Sequence, residues 1–65
     1  MTRSQVRAFV ESSSVERIRE VLDLLQKMSR HLPESQLPQH ELGFLHELRD
    51  HQAFFRELAD AKLRQ

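Results

Sequence analysis

The stretch that decides the fold is residues 12–28, which read SSSVERIREVLDLLQKM. Its apolar side chains recur at steps of three and four residues, the spacing that places them along one side of an α-helix. The members of this row are Val15, Ile18, Leu22 and Leu25, with Val21 and Met28 beside them. The pattern predicts an amphipathic helix whose apolar side forms one wall of a hydrophobic core.

Polar residues and a proline mark the two ends of this helix. Ser13 followed by Glu16 matches a capping box, in which each side chain bonds a free backbone N–H at the helix start. Pro33 disfavours helical geometry in the residue before it, so the helix should end near Leu32. The predicted second helix therefore covers about residues 14–32.

Two further helices are predicted, one on each side of the second. The first spans about residues 4–11 and the third about residues 38–63. Pro38 fits the first helical position, where its missing N–H costs nothing. Gly43 indicates either close packing there or a later helix start. The apolar rows are Val6, Phe9 and Val10 in the first helix, and Leu42, Leu45, Leu48, Phe55 and Leu58 in the third.

The expected fold is all-α, with a short N-terminal helix packed across an antiparallel helical hairpin. The 65 residues contain one glycine, no tyrosine and no cysteine, and good helix formers dominate the composition. A chain this short forms one domain at most, so we expect a single helical domain over residues 1–65. Because the third helix is longer than the second, its extra apolar surface needs covering by the first helix or by a second chain. If a second chain covers this surface, the protein is a dimeric bundle.

The charge balance and the apolar runs indicate which partners and which cell compartment to expect. Ten Lys and Arg balance ten Asp and Glu, so we expect little direct nucleic-acid binding, which relies on a basic surface. No apolar run approaches the roughly 20 residues that cross a membrane. The apolar stretch after the N-terminus is too short for a signal peptide. These features predict a cytoplasmic protein.

Side chains that could support catalysis or metal binding are few. His46 with Asp50, and Glu47 with His51, each have the four-residue spacing of neighbours on a helix. Zinc generally needs four ligands, or three and a water, and we interpret the histidines as surface residues. The serines are explained by helix caps and the linker, so we predict no enzyme activity, no catalytic residue, no cofactor and no metal.

Two surface features remain open from the residues alone. Phe54 lies beside Phe55, and helix neighbours point about 100° apart, so Phe54 flanks the apolar row. It indicates either a partner contact or a broad core under the first helix. Basic residues concentrate in the N-terminal half, where they form a solvated face or a patch that touches nucleic acid once a partner delivers it.

Four stretches, read in order, resemble the Hha/YmoA family of small nucleoid-associated modulators of gene expression. These stretches are residues 1–4 (MTRS), 13–22 (SSVERIREVL), 37–42 (LPQHEL), and the pair Asp50-His51 with the Glu57-Leu58 and Lys62-Leu63 that follow. The sequence departs from the family in its longer linker at residues 33–36 and at Arg19, which stands where the family has an acidic residue.

The resemblance implies that the chain binds the N-terminal dimerisation region of a bacterial H-NS-like protein through acidic side chains that meet arginines. Asp50 is then the first contact candidate and Glu16 the second. His51 and Phe54, which follow Asp50 in the sequence, are predicted as further partner-binding residues. The alternatives are a homodimeric helical hairpin that serves as an adaptor, antitoxin or chaperone, and an RNA-binding hairpin. Residues 47–51 (ELRDH) resemble the RNA-binding protein Rop.

Overall fold

The computed structural model describes residues 1–30 and 34–65, and within these ranges the chain is helical, without a strand. The all-α prediction is confirmed. Two short 3-10 helices, Glu34–Gln36 and Gln39–Glu41, lie between the second and third α-helices. The α-helices are α1 (Arg3–Ser12), α2 (Val15–Ser29), α3 (Leu42–Arg49) and α4 (Gln52–Leu63).

A capping box is present at the start of α1. The Thr2 hydroxyl accepts a hydrogen bond from the Gln5 backbone N–H at 3.2 Å, and the Gln5 side chain accepts one from the Thr2 N–H at 2.8 Å. These reciprocal bonds satisfy two backbone donors that a helix start leaves free. The position of α1 therefore agrees with the predicted residues 4–11 to within one residue at each end.

The capping box predicted for the start of the second helix is wrong. Ser14, not Ser13, is the N-cap of α2, and its hydroxyl accepts from the Arg17 backbone N–H at 3.2 Å. Ser13 instead ends α1, where its hydroxyl donates to the Phe9 carbonyl at 2.5 Å. Because Ser13 already serves the preceding helix, the cap moves one residue along the chain.

The second helix ends earlier than predicted. Ser29 is the last residue of α2 and Arg30 is its C-cap. The predicted end at Leu32 and the Pro33 that motivated it lie outside the described residues.

The continuous third helix predicted over residues 38–63 is also wrong. Pro38 has φ −59° and ψ 115°, which is not helical, and it precedes the 3-10 helix Gln39–Glu41; the α-helix starts only at Leu42. Asp50 still has a helical backbone, but His51, with φ −118° and ψ 27°, does not, and α4 begins after it. A straight helix over 38–63 would be about 39 Å long, and the longest dimension of the protein is 33 Å.

The sequence explains where this break falls. In a continuous helix the side chains after Leu48 that face the core would be His51 and Gln52, three and four residues on. Both are polar, so no apolar row continues between Leu48 and Phe55. Turning the chain at this point buries both Leu48 and Phe55 completely, on two separate helices.

The core is a single cluster to which all four helices contribute. The Phe9 ring of α1 lies 4.9 Å from the Phe44 ring of α3 and 6.1 Å from the Phe55 ring of α4. These separations are typical of favourable aromatic pairs. The largest fully buried side chains are Phe55, Ile18, Leu45, Leu48, Val6 and Val21.

One member of the predicted apolar row of α2 does not join the core. Val15 is 36% exposed and is the only large apolar side chain classed as exposed in the described part of the chain. It is the first residue of α2, just after the cap, and the buried row begins at Ile18 instead. The remainder of the predicted row is buried or half-buried.

Candidate functional site

Three of the four residues predicted to contact a partner lie together where α3 turns into α4. We call this region the α3–α4 corner and define it as Asp50, His51 and Phe54, with Met1 and Arg3 from the start of the chain. Asp50 is the C-cap of α3, and its backbone N–H donates to the Glu47 carbonyl at 3.3 Å. Its conformation is therefore fixed by the end of a helix.

Asp50 lies on the surface of the corner. The residue is exposed, and within residues 1–30 and 34–65 its side chain has no salt bridge or hydrogen bond. A carboxylate held on a rigid backbone and not engaged internally can accept two parallel hydrogen bonds from a guanidinium group.

His51 is engaged inside the protein. It is half-buried, and its Nε2 lies 2.7 Å from the Met1 carbonyl oxygen. A carbonyl oxygen only accepts, so Nε2 carries the proton and donates in this contact. The His51 backbone is equally occupied: its N–H donates to the Leu48 carbonyl at 2.9 Å, and its carbonyl accepts from the Phe55 N–H at 2.8 Å. His51 therefore holds the N-terminal end of α1 at the corner.

Phe54 lies partly under α1. Its ring is half-buried against the core, and the Arg3 guanidinium carbon is 5.1 Å from the ring centroid. This is the distance of a cation–π contact. Of the two explanations for Phe54, the broad core under the first helix is what the structure shows. Phe54 is also close to Asp50 in the sequence, four residues further along the chain.

Glu16 is not part of the corner. It is exposed in the first turn of α2, which follows the C-terminal end of α1, whereas the corner contacts the N-terminal end of α1. The ten residues of α1 make it about 15 Å long at 1.5 Å per residue. Glu16 and Asp50 therefore lie towards opposite ends of α1.

A buried ion pair was missed by sequence reasoning. Glu41 is only 7% exposed and its carboxylate binds the Arg17 guanidinium, which also lies 2.9 Å from Glu20. The pKa of Arg17 is raised, mainly by the hydrogen bond to Glu41. Partial burial acts in the opposite direction and lowers it. The stability that a raised pKa provides is lost only as the pH rises through the pKa of the folded state. Arg17 therefore adds no pH dependence to the free energy of unfolding in the physiological range.

The histidine pairs do not assemble into a metal site. Among the residues that the structure describes, no group of three or more His, Asp or Glu side chains is placed to hold a metal ion. In the same part of the chain, no helix combines the length and the apolar character needed to span a membrane.

No protein-family model, curated protein or solved structure matches this chain. The geometry of the α3–α4 corner is therefore the main support for a functional proposal.

Proposed function

We propose that this chain is a small protein-binding modulator of gene expression that acts through an H-NS-like nucleoid protein, with Asp50 as the central contact. The observation that carries the proposal is the exposed Asp50 carboxylate, which has no internal partner in the described residues and stands on a fixed helix end. An arginine of the partner would complete the pair that this carboxylate leaves open. In this role the protein would work in a bacterial cytoplasm.

The surroundings of Asp50 favour binding without rearrangement. His51 and Phe54 tie the corner to α1 through the Met1 carbonyl and the Arg3 guanidinium. A contact residue whose neighbours are already ordered loses less conformational entropy on binding. The half-buried Phe54 ring would add apolar area near the charge, and aromatic side chains are enriched at protein interfaces.

The engagement of Arg17, Lys27 and Lys62 inside the protein favours a protein partner over a nucleic acid. Arg17 binds Glu41 and Glu20, Lys27 lies 3.1 Å from Asp23, and Lys62 donates to backbone carbonyls. The formal net charge is zero. These cations are thus occupied inside the chain, which reduces the counterion release that nucleic-acid binding needs.

The alternative is a homodimeric bundle, either an adaptor, antitoxin or chaperone, or a Rop-like RNA-binding protein. It has weaker support because the core closes within one chain, leaving only Val15 as an exposed large apolar side chain in the described ranges. Sedimentation equilibrium distinguishes the proposed function from this alternative. The proposal expects a monomer that forms a heteromer with an H-NS-type dimerisation domain, whereas a tight homodimer that ignores this domain would favour the alternative. An RNA-loop binding assay would then be the next step.

The contact residue is tested by calorimetric titration of the same H-NS-type domain with Asp50→Asn. We expect binding to weaken by about tenfold or more, since a hydrogen bond to a charged group contributes about 1.5–3 kcal/mol. Asp60→Asn is the matched control, because it removes the same charge from another exposed position, on α4, without an internal ion pair in the described residues. Equal affinity of the wild type and Asp50→Asn would refute the assignment of Asp50.

A further inference from the structure

The C-terminal end of α1 presents three backbone carbonyl oxygens to one side chain of α4. The Lys62 ammonium nitrogen lies 2.5 Å from the Val10 oxygen and 3.2 Å from the Glu11 oxygen, and it also donates to the Ser13 oxygen. The last carbonyls of a helix have no partner within that helix. An ammonium group has three N–H donors and no acceptor, so the three oxygens match it in number and in kind.

Electrostatics and packing favour the same arrangement. The C-terminal end of a helix carries partial negative charge, so a cation is stabilised there. Lys62 is half-buried, and it lines a groove of about 240 Å³ between α1 and α4 together with Val10 and Leu58. The apolar stem of the lysine can therefore pack in the groove while its charged end reaches the carbonyls.

Polar contacts at both ends add to the buried Val6 and Val10 in holding α1 in place. This helix has 10 residues, and isolated helices shorter than about 12–15 residues are marginal in water. Ser13 and Ser14 lie between α1 and α2. A short helix at such a junction can open locally while the other helices stay folded. His51 holds its first turn, and Lys62 holds its last.

We propose that the C-terminal end of α1 is a binding site for a primary ammonium group, that the chain fills it with Lys62, and that this contact is the latch that keeps α1 on α4. Opening of the latch exposes the core side chains that α1 covers. The latch is independent of the function proposed for Asp50, since it lies at the other end of α1.

The latch is first tested by competitive acetylation of the intact protein with limiting acetic anhydride. The neutral amine attacks the anhydride carbonyl, an amide forms, acetate leaves, and the proton goes to solvent. The chain has two lysines, so the exposed Lys27 is an internal control. We expect Lys62 to react roughly tenfold more slowly than Lys27, the factor that one hydrogen bond to a charged group provides. Equal rates would overturn the proposal.

The second test measures amide hydrogen exchange in Lys62→Met and in the matched variant Lys27→Met. We expect exchange in α1 to rise by about tenfold in Lys62→Met while α2 and α4 stay protected, and no change in Lys27→Met. Unchanged protection of α1, or an equal rise in all helices, would contradict a latch that acts on α1. If Lys62→Met does not fold, Lys62→Arg decides the question, because it keeps the charge but replaces the ammonium with a planar guanidinium. For Lys62→Arg, as for Lys62→Met, faster exchange in α1 alone supports the proposal, whereas unchanged protection of α1 or an equal rise in all helices contradicts it.

Discussion

Glu41 shows how one buried carboxylate fixes its neighbours. It ends the second 3-10 helix, 24 residues from its partner Arg17 on α2. A charge removed from water is costly unless it is paired and hydrogen-bonded. The pair therefore restricts how the start of α3 can sit on α2, even though it adds less to net stability than its geometry suggests.

Removing Arg17 should expose this dependence. Arg17→Met leaves the Glu41 carboxylate buried without its partner, and we expect a loss of about 1–3 kcal/mol in the free energy of unfolding by urea titration. The value is below that of a fully buried pair because the Arg17 side chain is 34% exposed. Arg19→Met, at an exposed neighbouring position, should leave the urea midpoint nearly unchanged. Similar midpoints for the two variants would show that the pair does not constrain the fold.

Core truncations should be the most destabilising single substitutions. Leu48 and Phe55 are both fully buried, and each change to alanine should cost roughly 2–5 kcal/mol by urea denaturation, because it removes apolar contacts and leaves a cavity. Val15→Ala is the control, since that side chain is exposed and should change the midpoint little. A midpoint for Phe55→Ala close to that of the wild type would place the ring outside the core.

The turn between α3 and α4 is the largest difference from the expected architecture, which had one continuous helix there. It allows α1 to run beside α4, since Met1 contacts His51 at one end and Ser13 contacts Lys62 at the other. α1 thereby covers the apolar side of α4 that a straight helix would have left open. The first helix thus does the covering that the sequence also allowed a second chain to do.

Gly43 offers a prediction about α3. It is the second residue of this helix, and an added Cβ would meet no atom within 4 Å. The close packing considered for Gly43 is therefore absent, and the later helix start is what the structure shows. Gly43→Ala should raise the free energy of unfolding by about 0.4–1 kcal/mol, because alanine loses less backbone entropy in a helix. A lower thermal midpoint would indicate a hidden contact at this position.

The whole molecule is close to the compactness expected of one small domain. The Cα radius of gyration is 11.4 Å and the dimensions are 33 × 22 × 19 Å, whereas a typical domain of this length has a radius of about 11 Å. An open hairpin with a helix of about 39 Å would be longer. The measured shape is thus that of a chain closed on itself.

This closure predicts the mass in solution. We expect sedimentation equilibrium of the protein alone to give 7.7 kDa at micromolar concentration, because the described chain buries its own core and has no large apolar patch that needs a second copy. Twice that mass would show that a second chain covers part of the surface, and it would strengthen the homodimer alternative.

The sequence by itself determined the helical class, the start of α1 within a residue, and most of the core. Apolar side chains at steps of three and four report directly which side of a helix is buried, and this rule correctly selected Ile18, Leu45 and Phe55. Asp50 was instead singled out by the family resemblance, and His51 and Phe54 are near it in the sequence and also in space.

Only the tertiary structure decided that Glu41 binds Arg17 and that Lys62 binds the C-terminal end of α1. Both contacts join groups far apart in the chain: the bond from Lys62 to Val10 joins residues 52 positions apart. Helical periodicity describes neighbours within one or two turns, so it cannot indicate which distant groups a polar side chain will contact. Those contacts are set by how the helices pack.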